Sequence, residues 1–222
     1  MKQLQLAPFD ISRHLNSRRL EQEVENRTAY TIDMAELTIY ETQHIAEKVE
    51  LTFDTPVLAS MIRGKKVMHL SGTPSFDFVP GESVIVPRNE LMRIDFPEAQ
   101  RVNPTQCLAL AIDADKVRQV TDWLNDRVPL VDNAGGWQFG QHNFYLTNDV
   151  SIHQLIARLI YIFTENNQAK EVFANLVLQE LVVRLMQTQA RSLLLGPDTT
   201  QGNVNRLAHV ARYIAQHLNR PI

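Results

Sequence analysis

The chain has 222 residues, of which 44% are hydrophobic and 21% are charged, proportions typical of a globular protein with a sizeable core. Its formal net charge is −3 and no long basic run occurs, so the chain itself is a poor candidate for binding duplex DNA. No apolar run is long enough to span a membrane and no secretion signal is visible, so we expect no membrane partner. The single cysteine, Cys107, cannot form an intrachain disulfide, which fits a cytoplasmic location.

Changes in sequence pattern divide the chain into four segments. Residues 1–26 predict a lead-in that is helical in part. Residues 27–113 consist of short runs in which apolar and other residues alternate, separated by turns such as Pro80-Gly81, and they predict a β-barrel or jelly roll. We expect each strand to be half-buried, with its large apolar side chains on one face. Residues 114–195 predict helices, which makes the fold class α+β.

The helical segment contains three predicted helices and a possible hairpin near residues 136–147. The first helix covers residues 115–126. The second begins at Ser151, which has the spacing of a capping box with Gln154, and its apolar residues then recur with helical periodicity. Residues 196–222 predict a linker followed by a final helix over residues 204–218.

The third predicted helix, over residues 168–191, is apolar around most of its circumference. Such a helix is covered on more than one side, either within its own chain or by a second subunit. We predict that it pairs two subunits of a homodimer. The residues expected in this contact are Leu176, Leu178, Leu181, Val182 and Leu185.

The motifs of the common catalytic and metal sites do not occur. The sequence has no HxH or CxxC pair for a metal ion, and no glycine-rich nucleotide loop or GxSxG elbow. Cys107 begins an alternating strand, where packing is a more common role than nucleophilic catalysis. Glu41 is the one strand carboxylate that the alternation places inward. The sequence therefore predicts no enzyme, no cofactor and no metal.

One hairpin ladder, over residues 69–87, suggests a barrel mouth with apolar walls and a few polar groups. The residues that we expect to line an effector pocket there are Tyr40, Met61, Arg63, His69, Phe76, Phe78 and Met92. The pattern is equally compatible with a barrel that these side chains simply fill.

Several stretches, in the right order, resemble the AraC/XylS family of transcriptional regulators. Residues 57–67 (VLASMIRGKKV) and 78–87 (FVPGESVIVP) are similar to strands of the family's amino-terminal cupin-like domain. Residues 108–113 (LALAID) resemble its last barrel strand, and residues 179–186 (QELVVRLM) resemble its linker helix. Residues 206–222 (RLAHVARYIAQHLNRPI) are similar to the first helix of the family's DNA-binding domain.

The resemblance implies a bacterial, cytoplasmic regulator whose cupin-like barrel senses a small-molecule effector and whose helices pair two subunits. It implies contact with DNA only through a carboxy-terminal domain with helix-turn-helix units, which this chain lacks. The metal-binding pattern of cupins is absent, and Met92 stands near the position of a ligand histidine. Two alternatives stay open: a metal-free cupin-type enzyme acting on a small metabolite, and a barrel without ligand that serves only to dimerise.

Overall fold

The computed structural model describes residues 9–17, 25–130, 136–139 and 144–195. Ten strands lie in this part of the chain: β1 (Glu25–Ile32), β2 (Ala35–Thr42), β3 (Ala46–Leu51), β4 (Val57–Arg63), β5 (Lys66–His69), β6 (Phe76–Phe78), β7 (Glu82–Val86), β8 (Met92–Phe96), β9 (Thr105–Ile112) and β10 (Phe144–Thr147). Four helices accompany them: α1 (Ser12–Ser17), α2 (Ala114–Arg127), α3 (Val150–Thr164) and α4 (Lys170–Leu195). The predicted α+β class, a barrel followed by helices, is confirmed.

The strands form two antiparallel sheets that face each other. The larger sheet has the strand order β1-β2-β9-β4-β7-β10, and the smaller has the order β3-β8-β5-β6. Side chains from their inner faces form one apolar cluster, as in a cupin-like jelly roll. Its largest fully buried members are Met61, Met68, Phe78, Met92, Ile94 and Phe96.

The larger sheet is buried on both faces, whereas the alternation predicted half-buried strands. In β9, Leu108 and Leu110 point to the outer face and join a second apolar cluster with the helices. Cys107 and Ala109 point to the inner face and are also buried. The prediction of one solvated face was wrong because α2, α3 and α4 cover the outer face of this sheet.

The helices begin where side chains cap their free N–H groups. Asp113 caps α2, and its carboxylate accepts a hydrogen bond from the N–H of Asp115 at 2.7 Å. Asp149 caps α3 and accepts from the N–H of Ile152 at 2.8 Å. The predicted capping box at Ser151 was therefore wrong, because the helix starts earlier in the chain, with Asp149 as its N-cap.

Some sequence predictions fall wholly or partly outside the described residues. The final helix over residues 204–218 lies outside them, as does most of the lead-in beyond α1. In the region of the predicted hairpin, β10 pairs with β7 of the larger sheet, with Phe144 opposite Ile85. No helix in the described part of the chain is long and apolar enough to cross a membrane.

Candidate functional site

The residues predicted to line a pocket lie in two regions. Met61, Phe78 and Met92 are at most 1% exposed and pack together in the barrel interior. Phe76 is half-buried, with its ring edge-on to Phe78 at a centroid distance of 6.5 Å. Tyr40 belongs to the same interior cluster, and it also lines an open cavity.

Arg63 and His69 lie outside that cavity. Arg63 ends β4 and is exposed, while the ring Nε2 of His69 lies 2.8 Å from the carboxylate of Asp95. Apart from Tyr40, the residues predicted for the pocket thus fill the barrel or lie near its surface. Their contact with an effector stays a prediction.

The cavity has a volume of about 710 Å³ and opens between the inner face of the larger sheet and the segment that follows β3. Its walls combine apolar, aromatic and acidic side chains. The lining residues are Arg27, Ala29, Thr31, Ile32, Asp33, Met34, Ala35, Glu36, Thr38, Tyr40, Leu51, Thr52, Phe53, Asp54, Thr55, Val57, Ala109, Ala111, Ile112 and Asp113.

Small side chains on neighbouring strands create this space. Ala29 of β1 lies opposite Thr38 of β2, and Thr38 lies opposite Ala109 of β9. Opposite residues in antiparallel strands point to the same face, so these three form a row of small side chains across the inner face. Ala111, two residues further along β9, continues this floor.

Two aromatic rings form one wall of the cavity. Tyr40 comes from β2, and Phe53 comes from the segment between β3 and β4. Their ring centroids lie 6.4 Å apart with the planes at 78°, the edge-to-face geometry that aromatic pairs favour. The contact holds the segment after β3 at the edge of the cavity.

The rim of the cavity is joined to two helices. Asp33, in the turn between β1 and β2, donates its backbone N–H to the carboxylate of Glu171 in α4 at 3.2 Å. Asp113, which also lines the cavity, caps α2 and donates its backbone N–H to the carbonyl of Met34 at 2.9 Å. These hydrogen bonds connect the backbone of the cavity rim directly to the first turns of α2 and α4.

A buried charged group lies near Tyr40 in the interior. The Nζ of Lys66 donates to the Sγ of Cys107 at 2.8 Å and to the carboxylate of Glu25 at 3.4 Å, and it lies 4.9 Å from the ring centroid of Phe96. Burial by itself lowers the pKa of Lys66, but Cys107 and Glu25 outweigh it and the pKa is raised. Burial raises the pKa of the Cys107 thiol, while the nearby Lys66 acts in the opposite direction.

Glu41 was predicted to point into the barrel, but it lies on the outer face of the larger sheet, the face that also carries Leu37 and Ile39. Glu41 is 1% exposed and lies among the helix-side groups, where it accepts from Nε2 of Gln106 at 2.8 Å. The Nε2 of His14 lies 3.1 Å from its other oxygen, and the Nδ1 of His14 lies 3.1 Å from the hydroxyl of Tyr30. This cluster fastens α1 to the sheet.

The predicted dimer residues divide between the core and the surface of α4. Leu178, Leu181, Val182 and Leu185 are fully buried in the cluster that α4 forms with the sheet and the other helices. Leu176 is 62% exposed, and Val172 at 60% and Phe173 at 36% are exposed beside it. These three residues are called the α4 patch below. A subunit contact through the four buried residues stays untested, and their packing within the chain already covers them.

Within the described residues, no group of three or more His, Cys, Asp or Glu side chains is placed to hold a metal ion. The cavity itself contributes four carboxylates, from Asp33, Glu36, Asp54 and Asp113, and one guanidinium, from Arg27. Its chemistry is that of a binding surface with an apolar floor and an acidic rim.

Sequence reasoning missed the floor and the second aromatic residue of the cavity. The signal for the floor was present, because Ala109 and Ala111 alternate with Leu108 and Leu110 in one strand. Large and small residues on opposite faces indicate a sheet that packs tightly on one side and leaves space on the other. Phe53 alternates with Val49 and Leu51 and was predicted to continue their strand, but it lies after β3 in a connecting segment, and the alternation did not indicate a cavity.

A cupin-like barrel with a helical layer on one sheet and a cavity on the inner face defines the structural class. The chain belongs to the family described as AraC-type transcriptional regulator N-terminus, whose sequence profile matches residues 33–193. No curated protein matches the sequence at a significant level.

Among solved structures, the chain is similar to ToxT of Vibrio cholerae. A ligand-free ToxT variant superposes with a TM-score of 0.55 at 9% identity, covering 72% of this chain and 58% of ToxT. ToxT bound to a methylnaphthalenyl butenoic acid gives a TM-score of 0.53 at 8% identity, covering 70% and 58% of the two chains. At these identities the similarity shows the fold, and the chain spans 58% of the length of this relative.

Proposed function

We propose that this chain is the small-molecule-sensing and dimerisation part of an AraC-type transcriptional regulator that works in the cytoplasm. Membership of the family supports a regulatory role over a catalytic one. The observation that carries the sensing role is the cavity of about 710 Å³ on the inner face of the barrel, with its small-residue floor and aromatic wall.

The effector site is the cavity that Tyr40 and Phe53 border, and not the filled interior around Met61 and Met92. Burial supports this choice, since Met61 and Met92 are at most 1% exposed and pack within the interior cluster. ToxT has been solved with a naphthalene-bearing acid, which is a property of that protein. It supports the idea that a barrel of this fold admits a small molecule.

The homodimer forms through the α4 patch. Val172, Phe173 and Leu176 are large apolar residues that lie exposed within two turns of one helix, and covering them removes apolar surface from water. The patch follows Glu171, which accepts the hydrogen bond from Asp33 at the cavity rim. An effector that changes the rim would thereby shift how two copies of α4 pack, a difference between states that a ligand switch requires.

Contact with DNA belongs to a domain that follows α4 in the whole regulator. The family profile ends at residue 193, and residues 206–222 resemble the first helix of the family's DNA-binding domain. The described residues would set the spacing of two such domains.

Native mass spectrometry of the chain, purified from a bacterial host and compared with its denatured mass, tests this proposal. We expect a dimer that carries a small adduct, which denaturation releases. Ala109→Phe fills the cavity and should abolish the adduct while the dimer persists. Leu176→Asp places a charge in the α4 patch and should give a monomer that keeps the adduct, whereas Gln187→Asp, on an exposed position of the same helix, should stay dimeric. A monomer without adduct for the unsubstituted chain would refute the proposal.

A further inference from the structure

Tyr40 is a lining residue of the cavity, and its hydroxyl group forms no hydrogen bond within the part of the chain that the structure describes. The residue is 7% exposed. Burial, and to a smaller extent the nearby Cys107, raises the pKa of Tyr40 to about 12. The hydroxyl is therefore a neutral donor at physiological pH. It is available to an acceptor atom in a bound molecule.

The charged groups of the cavity are mostly negative. Four carboxylates face one guanidinium, Arg27, which gives the lining a formal charge of −3. The carboxylates of Asp33, Glu36, Asp54 and Asp113 belong to exposed residues around the cavity. A concave apolar surface with carboxylates of one sign concentrates cations and repels anions.

Among the residues that the structure describes, Arg27 is the one cation that lines the cavity. Lys66 lies close to Tyr40 but does not line the cavity, and its ammonium is already bound by Glu25 and Cys107. A carboxylate ligand would thus have to compete for Arg27 while facing four like charges. This repulsion lowers the affinity of a ligand with an anionic head group, whereas the contacts of its apolar body are unaffected.

We propose that the effector of this cavity is an amphipathic cation, with a flat apolar body that carries a hydrogen-bond acceptor and an ammonium or amidinium head. This inference rests on the proposed function and names the ligand class for it. The body lies on the floor of Ala29, Ala109 and Ala111 against the aromatic wall. Its acceptor atom accepts a hydrogen bond from the Tyr40 hydroxyl. The head lies among the carboxylates of the rim.

In this position the ligand also contacts residues that are joined to the helices. A cation at the rim lies next to Asp33 and Asp113, which are joined to the starts of α4 and α2. A neutral or anionic molecule on the same floor would lack this attraction to the rim. The charge of the head group therefore determines both affinity and the effect on the α4 patch.

Three compounds with one body and three heads test the proposal: naphthyloxypropylammonium, naphthyloxypropanol and naphthyloxypropanoate. Isothermal titration of the unsubstituted chain should give a Kd for the ammonium compound at least about tenfold lower than for the carboxylate, with the alcohol between them. Glu36→Gln with Asp54→Asn should weaken the ammonium compound about fivefold and leave the alcohol unchanged. Asp122→Asn, an exposed carboxylate of α2 outside the cavity, is the matched control and should change neither Kd. Tyr40→Phe should weaken all three compounds by a similar factor, because they share the ether acceptor.

Each other outcome is decisive. A carboxylate compound that binds as tightly as the ammonium compound would overturn the cationic ligand class and leave the sensing role intact. If none of the three binds while native mass spectrometry shows an adduct that Ala109→Phe removes, the ligand class is wrong and the sensing role stands. If none binds and no adduct is seen, both proposals are wrong.

Discussion

The ring of Phe53 meets the ring of Tyr40 edge to face, with the centroids 6.4 Å apart and the planes at 78°. This pair joins strand β2 of the larger sheet to the segment that leaves β3 of the smaller one. It therefore links the larger sheet to the segment after β3 along one wall of the cavity.

Removing this aromatic contact should weaken both the fold and the site. We expect Phe53→Ala to lower the free energy of unfolding by about 1–2 kcal/mol, through lost aromatic contact and lost apolar burial. The affinity for naphthyloxypropylammonium should fall several-fold in the same variant. Urea denaturation and calorimetric titration measure the two effects. Ile45→Ala, at a 66% exposed position outside the cavity, is the control, and equal behaviour of the two variants would contradict the role of Phe53.

The buried cluster around His14 predicts that α1 is held firmly against the sheet. His14 is fully buried and lies 3.1 Å from both a carboxylate oxygen of Glu41 and the hydroxyl of Tyr30. His14→Ala leaves a buried carboxylate short of a partner, and we expect it to cost about 2–4 kcal/mol of unfolding free energy. The neighbouring Arg13 stacks on the exposed Tyr161 ring at 4.0 Å, and Arg13→Ala should cost less than about 1 kcal/mol. Equal costs for the two variants would show that the cluster does not hold α1.

Substitution of two glycines distinguishes the energetic effect of a positive φ from that of a steric clash. Gly64 and Gly72 both have positive φ, at 79° and 72°. A Cβ on Gly64 would lie 2.7 Å from Oγ1 of Thr105, whereas a Cβ on Gly72 would meet nothing within 4 Å. Both alanine variants carry the penalty of a left-handed backbone, so Gly64→Ala should lower the unfolding free energy by at least about 1 kcal/mol more than Gly72→Ala. Thermal or urea denaturation of the pair checks this, and a smaller cost at Gly64 would contradict the tight turn.

The pair of Asp95 and His69 predicts a pH-dependent part of the stability. The hydrogen bond from His69, and then the one from the N–H of Lys48, hold the pKa of Asp95 below its ordinary value of 3.8. A carboxyl whose pKa is lowered by folding stabilises the protein above its unfolded pKa, and this stabilisation is lost as the pH falls through the folded value. We therefore expect the unfolding free energy of the unsubstituted chain to exceed that of Asp95→Asn near pH 7 and the gap to narrow below about pH 4. Urea denaturation across this range measures the gap, and a gap that is constant with pH would contradict the linkage.

The sequence predicted correctly those strands and helices whose large apolar residues recur on one face. The alternation of β9 and the helical stripe that begins at Ile152 both predicted the elements that the structure contains. The sequence did not show which strands are buried on both faces. The face that carries Ala109 is buried by the smaller sheet, whose packing cannot be read from the pattern of β9 alone. The same limit affected the pocket prediction, since Met61 and Tyr40 share a face and only the opposing sheet decides that one is enclosed and the other borders space.

The apolar circumference of α4 illustrates the other limit. The pattern showed that more than one side of the helix is covered, and packing within the chain accounts for Leu178, Leu181 and Leu185. A single sequence cannot divide apolar residues between intrachain packing and a partner surface, because both remove the same side chains from water. The structure divides them, and it leaves Leu176 on the surface.

The most direct test of the central claim is a methyl NMR spectrum of the chain labelled at alanine, recorded while the tightest binding of the three naphthyl compounds is added. We expect large ring-current shifts for the methyl groups of Ala29, Ala109 and Ala111, which line the cavity floor. The methyl group of Ala174, fully buried between α4 and its neighbours, should stay unchanged. Shifts confined to Ala174 and other alanines outside the floor, or no shifts at all, would contradict the assignment of this cavity as the effector site.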